Sequence, residues 1–343
     1  MFEAILTLCL AAGEPCRPVL LPGHEAPEAA ACAASLATAA LPDWPGLLAK
    51  GPPDCQPVAE PLTVTEIAPG VFVHTGQVAE PEPGNAGDVA NLAFVIGSDS
   101  VAVIDSGSSR QIAERLWRAV RARTDLPVRH VILTHMHPDH VFGATLFAET
   151  GAEVIGHASL SRALADREDS YTASFSRLLG PGFLGSALPQ VTRGLDQIAE
   201  LDLGGRVLDL RPWPLAHSGT DLTVFDRQSG ILFAGDLVFD DHTPALDGSL
   251  TGWQQVLEDL AALPVTRLVP GHGGPVLDWP EGAAQQRRYL EVLTRDTRAA
   301  IAAGERLGQA IPHVAASESG RWRLFDTFNP RNATQAFTEL EWE

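Results

Sequence analysis

At 343 residues the chain is long enough for one large catalytic domain plus a small appendage, and with 45% hydrophobic and 20% charged residues it has a globular rather than a disordered composition. A formal net charge of −19, with Lys50 the only lysine, argues against nucleic acid as a substrate, because phosphate binding needs clustered Lys and Arg. No run reaches the ~18 apolar residues that a membrane span needs, so no membrane span is expected.

The four cysteines, Cys9, Cys16, Cys32 and Cys55, all precede residue 56. An even count in one short segment predicts two disulfides within a module of residues 1–58, in an oxidising compartment, with the pairing open among three connectivities. Four buried free thiols are the alternative, and structural zinc lacks a close Cys-x-x-Cys pair. Residues 4–12 imitate the apolar core of a signal peptide, but Glu3 stands where a base is expected. They read instead as a first strand, Phe2–Ala11, with any export signal expected to lie outside this sequence. Arg17–Leu21 returns beside it after Gly13-Glu14-Pro15, and Ala26–Ala40 is Ala-rich and helical. Pro42 to Pro57, with five prolines, has the composition of a linker.

A main domain is expected over 59–310. Ile67–Thr75 holds a Pro-Gly turn and an alternating strand carrying His74, which reads as a structural histidine. Pro81–Asp88 is a loop placed to overhang a site. Asn91–Ile96 and Val101–Ile104 form a hairpin. Asp105 ends the second strand ahead of a helix over Gln111–Arg123, either orienting a ligand histidine from behind or marking a helix cap.

Val131 to Phe142, V-I-L-T-H-M-H-P-D-H-V-F, places His135, His137, Asp139 and His140 within six positions. A short apolar strand leads in, Pro138 keeps His137 extended, and Asp139 is placed to cap the helix that follows. Side chains on such a strand-to-helix turn converge on one point, and imidazole with carboxylate suits zinc or a similar first-row cation. Glu153–Gly156 is the next strand, and His157 after it reads as structural or as a support behind a metal ligand rather than a ligand itself. Residues 158–195 read as helical with glycine breaks, a substrate-lid candidate carrying Tyr171. Strands at Ala199–Leu203, Arg206–Leu210 and Leu222–Asp226 follow, with His217 in the turn P-L-A-H-S-G-T-D. I-L-F-A-G-D is a buried strand ending at Asp236, Gly252–Leu263 a helix, and Arg267–Val269 a strand running into P-G-H-G-G with His272. Each time a short strand delivers one ligand-type side chain to a turn, the pattern of a site assembled at a sheet edge. Ala283–Ala303 closes the domain, and 311–343 is a C-terminal extension expected to pack on it.

H-x-H-x-D-H at 135–140 with His217, Asp236 and His272 resembles the seven-ligand set of the metallo-β-lactamase superfamily, in order and in strand context, over roughly residues 60–305. The resemblance implies an α/β fold, a four-layer αβ/βα sandwich. It implies that His135, His137 and His217 hold one metal, that Asp139, His140 and His272 hold a second, and that Asp236 bridges them. Two zinc ions per chain are implied, with iron the alternative metal. The catalytic residues would be Asp139 and Asp236, with a hydroxide between the metals attacking an acyl carbonyl.

Within the superfamily, Asp236 stands where β-lactamase groups have cysteine or serine, and no lysine is available to hold a substrate carboxylate. The aspartate-bridged pattern is similar to glyoxalase II, lactonases and other zinc hydrolases, and to persulfide dioxygenases. R-N-A-T-Q-A-F-T-E-L-E-W-E and D-L-V-F-D-D-H-T-P-A-L-D-G-S-L-T-G-W resemble the quinoprotein relay system zinc metallohydrolases, which implies a periplasmic location and a quinoprotein dehydrogenase partner. The reading is therefore a hydrolase of a small-molecule ester, thioester or lactone. The alternatives are a β-lactamase, a mononuclear iron persulfide dioxygenase and a non-catalytic accessory protein that binds a quinone cofactor or a quinoprotein.

Overall fold

Phe2–Leu10 (β1) fully buries Ala4, Leu6 and Leu8, the every-second-residue pattern of a strand with one covered face. The computed structural model that shows this describes residues 1–37 and 40–342. Cys16–Ala26 (β2) pairs antiparallel with β1 on one edge. Leu47–Ala49 (β3) and Asp54–Pro57 (β4) lie one after the other along its second edge. The linker expected over Pro42 to Pro57 is therefore corrected. The open edge of β1 needs backbone partners, and an edge strand tolerates proline. Ala29–Leu36 (α1) is shorter than the helix expected over Ala26–Ala40, of which Thr38 and Ala39 lie outside the described residues, as does Glu343 at the chain's end.

All four cysteines are paired. Cys9–Cys16 closes the β1–β2 hairpin at directly opposed positions, and Cys32–Cys55 ties α1 to β4. The second bridge spans a sequence separation of 23. Replacing both of its cysteines by serine should cost about 3 kcal/mol of stability through the looser unfolded chain. Urea unfolding of the variant checks this, and an unchanged midpoint would count against it.

Two further sheets make up the centre of the fold. In the first, Thr65–Ala68 (β5), Val71–His74 (β6), Leu92–Ile96 (β7) and Val101–Ile104 (β8) run antiparallel. Val128–Ile132 (β9), Glu153–His157 (β10) and Arg193–Leu195 (β11) then continue the sheet in parallel. In the second, Ala199–Asp202 (β12), Val207–Pro212 (β13), Leu222–Asp226 (β14), Ile231–Phe239 (β15), Arg267–His272 (β16) and Leu277–Asp278 (β17) lie in sequence order, parallel at β15–β16. The sheets face each other through a core in which Val95, Ile104 and Ile132 meet Leu208, Leu222 and Phe233.

On the outer face of the first sheet lie Arg110–Arg121 (α2), Pro138–Val141 (α3) and Ala144–Ala148 (α4), packed through Ile112, Leu116 and Phe147. Leu160–Leu179 (α5) runs from β10 to a short 3-10 turn at Gly180–Phe183. The helical reading of 158–195 thus ends early, because Arg193–Leu195 pairs with the free edge of β10. On the outer face of the second sheet lie Leu250–Ala261 (α6), Ala284–Ala302 (α7), Leu307–Ala310 (α8) and Phe325–Leu340 (α9), in a core that includes Trp253, Tyr289 and Phe337. The layers are helix, sheet, sheet, helix, as the resemblance implied. Among the described residues no helix is long and apolar enough to cross a membrane.

Candidate metal centre

The turns after β9 and β13, the second half of β15 and the end of β16 meet at one edge of the two sheets; β15 runs on to Phe239, so Asp236 lies within the strand that was expected to end at it. There His135, His137, His217 and Asp236 form one group, and Asp139, His140 and His272 form a second. Within each group one ligand atom per residue lies within 4.8 Å of the others. All seven residues that the sequence pattern singled out are brought together.

Each imidazole has one nitrogen committed elsewhere. His217 Nδ1 donates to the Ala245 carbonyl at 2.6 Å, and His272 Nδ1 to the Val89 carbonyl at 2.8 Å. His140 Nδ1 meets Asp105 Oδ2 at 2.8 Å, and His137 Nε2 meets Asp247 Oδ2 at 3.1 Å. Thr134 Oγ1 gives its proton to Asp105 at 2.8 Å and lies 3.0 Å from His135 Nδ1. A carbonyl or carboxylate can only accept, so in the neutral rings these contacts fix the tautomer and turn the other nitrogen inward as the one with a lone pair for a cation. His137 Nδ1 accordingly faces His135 Nε2 at 3.1 Å and His217 Nε2 at 2.9 Å.

Asp236 lies between the groups. Its Oδ2 is 3.6 Å from His135 Nε2 and 3.5 Å from His217 Nε2, while its Oδ1 is 3.2 Å from His140 Nε2 and 3.4 Å from His272 Nε2. His140 Nε2 and Asp236 Oδ1 are both buried without a hydrogen-bond partner among the described residues. Buried polar atoms are rarely left so, and this pair fits a cation between them. Close approach sets the neighbouring backbone too, since a Cβ at Gly271 would fall 1.9 Å from Asp236 Oδ1.

Charge points the same way. Burial lowers His217 to about 3 and holds His135 well below its usual value. Burial opposes charge on His140 and His272 as well. The carboxylates of Asp236, Asp105 and Asp139 overcome it at His140, raising it well above the usual range, and those of Asp236 and Asp139 raise His272 to about 10. Buried acids that pull protons onto imidazoles are acids short of a cation.

Asp105 has φ 58°, a strained left-handed backbone for an aspartate, and accepts from Thr134 N at 2.8 Å as well as from Thr134 Oγ1 and His140. It does not cap α2, a role taken by Ser109. Asp139 does not cap α3 either. Pro138 is the first helical residue, so the cap position falls on His137, and Asp139 turns its Oδ2 to within 3.3 Å of His272 Nε2. His74, bonded to Thr63 and Asp88, and His157, bonded to Ser159 N, lie outside both groups. Tyr171 on α5 packs against the cluster of Phe142, Leu179 and Phe183, and burial raises its hydroxyl pKa.

Several residues at the site carry no signal in the sequence pattern. Buried Asp221 accepts from Ser218 N at 2.8 Å and from Ser218 Oγ at 2.6 Å, bracing the His217 turn, and burial pushes its carboxyl up to about 7. Thr220 Oγ1 accepts from Met136 N at 3.1 Å, joining that turn to the first one. His242 lies with its ring 4.9 Å from His272 and 4.6 Å from Phe328 of α9. No arginine sits within the metal turns, yet α5 brings Arg167 to 3.3 Å from Asp247 Oδ2. A cavity of about 660 Å³ opens between residues 75–79, Asp240, Asp241, Gly273, Gly274 and Arg323, none of them one of the seven.

A family model described as the metallo-beta-lactamase superfamily matches residues 86–272. The chain is 27% identical over 218 residues to the acyl-coenzyme A thioesterase MBLAC2 of Bos taurus, covering 54% of this chain and 74% of that protein. To its counterpart in Gallus gallus it is 29% identical over 217 residues, covering 54% and 73%. Among solved structures, a metallo-beta-lactamase from Pontibacter korlensis superposes with TM-score 0.55 at 21% identity, over 67% of this chain and 99% of that one. The sec-alkylsulfatase Pisa1 from Pseudomonas sp. gives TM-score 0.60 at 14% identity, over 81% of this chain and 50% of that one. At these identities the likeness to solved structures is one of fold.

Proposed function

The chain belongs to the metallo-beta-lactamase superfamily, and from that premise we propose that it is a dinuclear zinc hydrolase of acyl bonds, with thioesters foremost and esters and lactones behind them. The observation that carries this reading is the division of the Asp236 carboxylate between the two ligand groups, Oδ2 toward His135 and His217 and Oδ1 toward His140 and His272. Five imidazoles and two carboxylates are a donor set suited to zinc. Bound there, two dications would supply Lewis acidity, lowering the pKa of a water and polarising an acyl carbonyl.

The chain's own residues do the rest. Thr134, Asp105, Ala245, Val89 and Asp247 hold the five rings in the ligating tautomer. Asp139, whose side chain is 17% exposed, is the carboxylate placed to receive a proton from the attacking water. The thioesterase names of the MBLAC2 relatives support the thioester ahead of other acyl bonds.

The two disulfides support an oxidising setting, and the family resemblance makes the periplasm the one proposed. The quinoprotein link rests on the two stretches named above, which lie against each other. Asn332 accepts from Leu246 N at 2.9 Å, and Glu339 accepts from Leu250 N at 2.6 Å.

Metal analysis with a substrate panel tests the reading. Two zinc equivalents per chain are expected, with His217→Ala emptying one site preferentially, and so is hydrolysis of an acyl thioester. Penicillins and carbapenems should fall below ~10⁵ M⁻¹s⁻¹ in kcat/KM. Their carboxylate needs a fixed cation, and Arg167 is already paired with Asp247. A single iron with oxygen consumption on persulfides would overturn the hydrolase. So would tight quinone binding without turnover of any acyl substrate.

A further inference from the structure

We propose that Asp247 is the positioning residue for the metal ligand His137, and that Arg167 on α5 pins its carboxylate in place. The inference rests on the dinuclear reading above and assigns a support for one ligand of one metal.

His137 is the ligand most in need of support. Its side chain is 17% exposed, whereas those of His135, His140 and His217 are essentially fully buried. The second nitrogens of His217 and His272 are fixed by backbone carbonyls, and that of His140 by buried Asp105. For His137 the corresponding contact, Nε2 to Asp247 Oδ2 at 3.1 Å, is to an exposed side chain 110 positions away. An exposed carboxylate holds a ring still only if it is itself held.

Three separate contacts hold it. Asp247 N donates to the His217 carbonyl at 3.1 Å, tying the support to a second ligand of the same group. Arg167 approaches the same Oδ2 at 3.3 Å from α5. The segment around Asp247 is clamped by α9: Leu246 N donates to Asn332, Gln335 Nε2 donates to the Gly248 carbonyl at 3.0 Å, and Glu339 accepts from Leu250 N and Thr251 N. The C-terminal helix thus holds the backbone on both sides of Asp247. A ligating imidazole becomes a better donor at its far nitrogen, and a carboxylate there fixes the ring's orientation and raises its basicity. Loss of such a partner costs about 10- to 100-fold in metal affinity.

Zinc binding to the full chain, titrated against a chromophoric chelator, tests this without reference to turnover. The wild type should bind in two steps. Asp247→Ala should weaken about 10- to 100-fold the step that His217→Ala abolishes, and leave the other unchanged. Asp247→Asn, whose amide oxygen still accepts from Nε2–H, should recover most of the loss. Arg167→Ala should weaken the same step by less. The visible bands of the cobalt(II) protein should shift in Asp247→Ala and return in Asp247→Asn. Two unchanged steps in Asp247→Ala would overturn the assignment. So would weakening of both steps together in Asp247→Ala and Asp247→Asn alike, the mark of a merely structural role. Should the wild type show one step only, the dinuclear reading fails, and the response of that step to Asp247→Ala still decides the positioning role.

Discussion

Asp236→Ala is expected to lose at least ~1,000-fold in kcat/KM on any acyl substrate the wild type hydrolyses, a barrier increase of about 4 kcal/mol. It should also lose metal from both groups, where His217→Ala loses it mainly from one. The two oxygens of Asp236 lie 3.2 to 3.6 Å from four inward-facing ring nitrogens, two in each group. Removing them leaves each group short of a ligand and takes away a charge that keeps His140 and His272 attractive to cations. Asp236→Asn separates the two effects, since the amide keeps one acceptor and the shape but not the charge. Metal content by mass spectrometry, alongside the kinetics, checks the prediction. An Asp236→Ala protein that keeps two metals and most of its activity would sink it.

The candidate ligands are legible because each is local. A short apolar strand, then a turn, then one imidazole or carboxylate is a pattern that sequence spacing carries, and strands of one sheet deliver their turns to one edge. What holds the ligands was mostly not legible. Asp247 meets His137 across 110 positions, a separation that no local pattern carries. Arg167 and Asp221 likewise take their meaning from partners that the fold supplies. Asp105 was found because its position at a strand end, close to the first metal turn, carried the same local signal as the ligands. Where local rules competed, tertiary pairing won. Prolines around β3 and β4 signalled a linker, yet the unpaired edge of β1 recruited both segments. Pro138 shifted the cap position by two residues, freeing Asp139 to face His272.

Glu3 gives the clearest case of a residue whose meaning lies entirely in the fold. In sequence it is an acid ahead of an apolar run. In the structure it is 1% exposed and forms a two-pronged pair with Arg118 of α2, Nε to Oε2 at 2.8 Å and a terminal nitrogen to Oε1 at 2.9 Å. Ala59 N donates to the same Oε1 at 3.1 Å. Beside it, Arg17 pairs with Glu114, and fully buried Arg110 reaches the Leu20 carbonyl and Glu149. The N-terminal sheet therefore docks on α2 through charged groups withdrawn from water. Such pairs add little over a well-packed apolar contact, but breaking one strands its partner. Arg118→Ala and Glu3→Ala should each destabilise the protein by about 3 to 5 kcal/mol. The double variant Glu3→Leu/Arg118→Met should recover most of that loss, because no uncompensated charge then remains buried. Urea unfolding of the three proteins at matched metal load decides it. Single variants as stable as the wild type, or a double variant no better than either, would show that the interface does not depend on this pair.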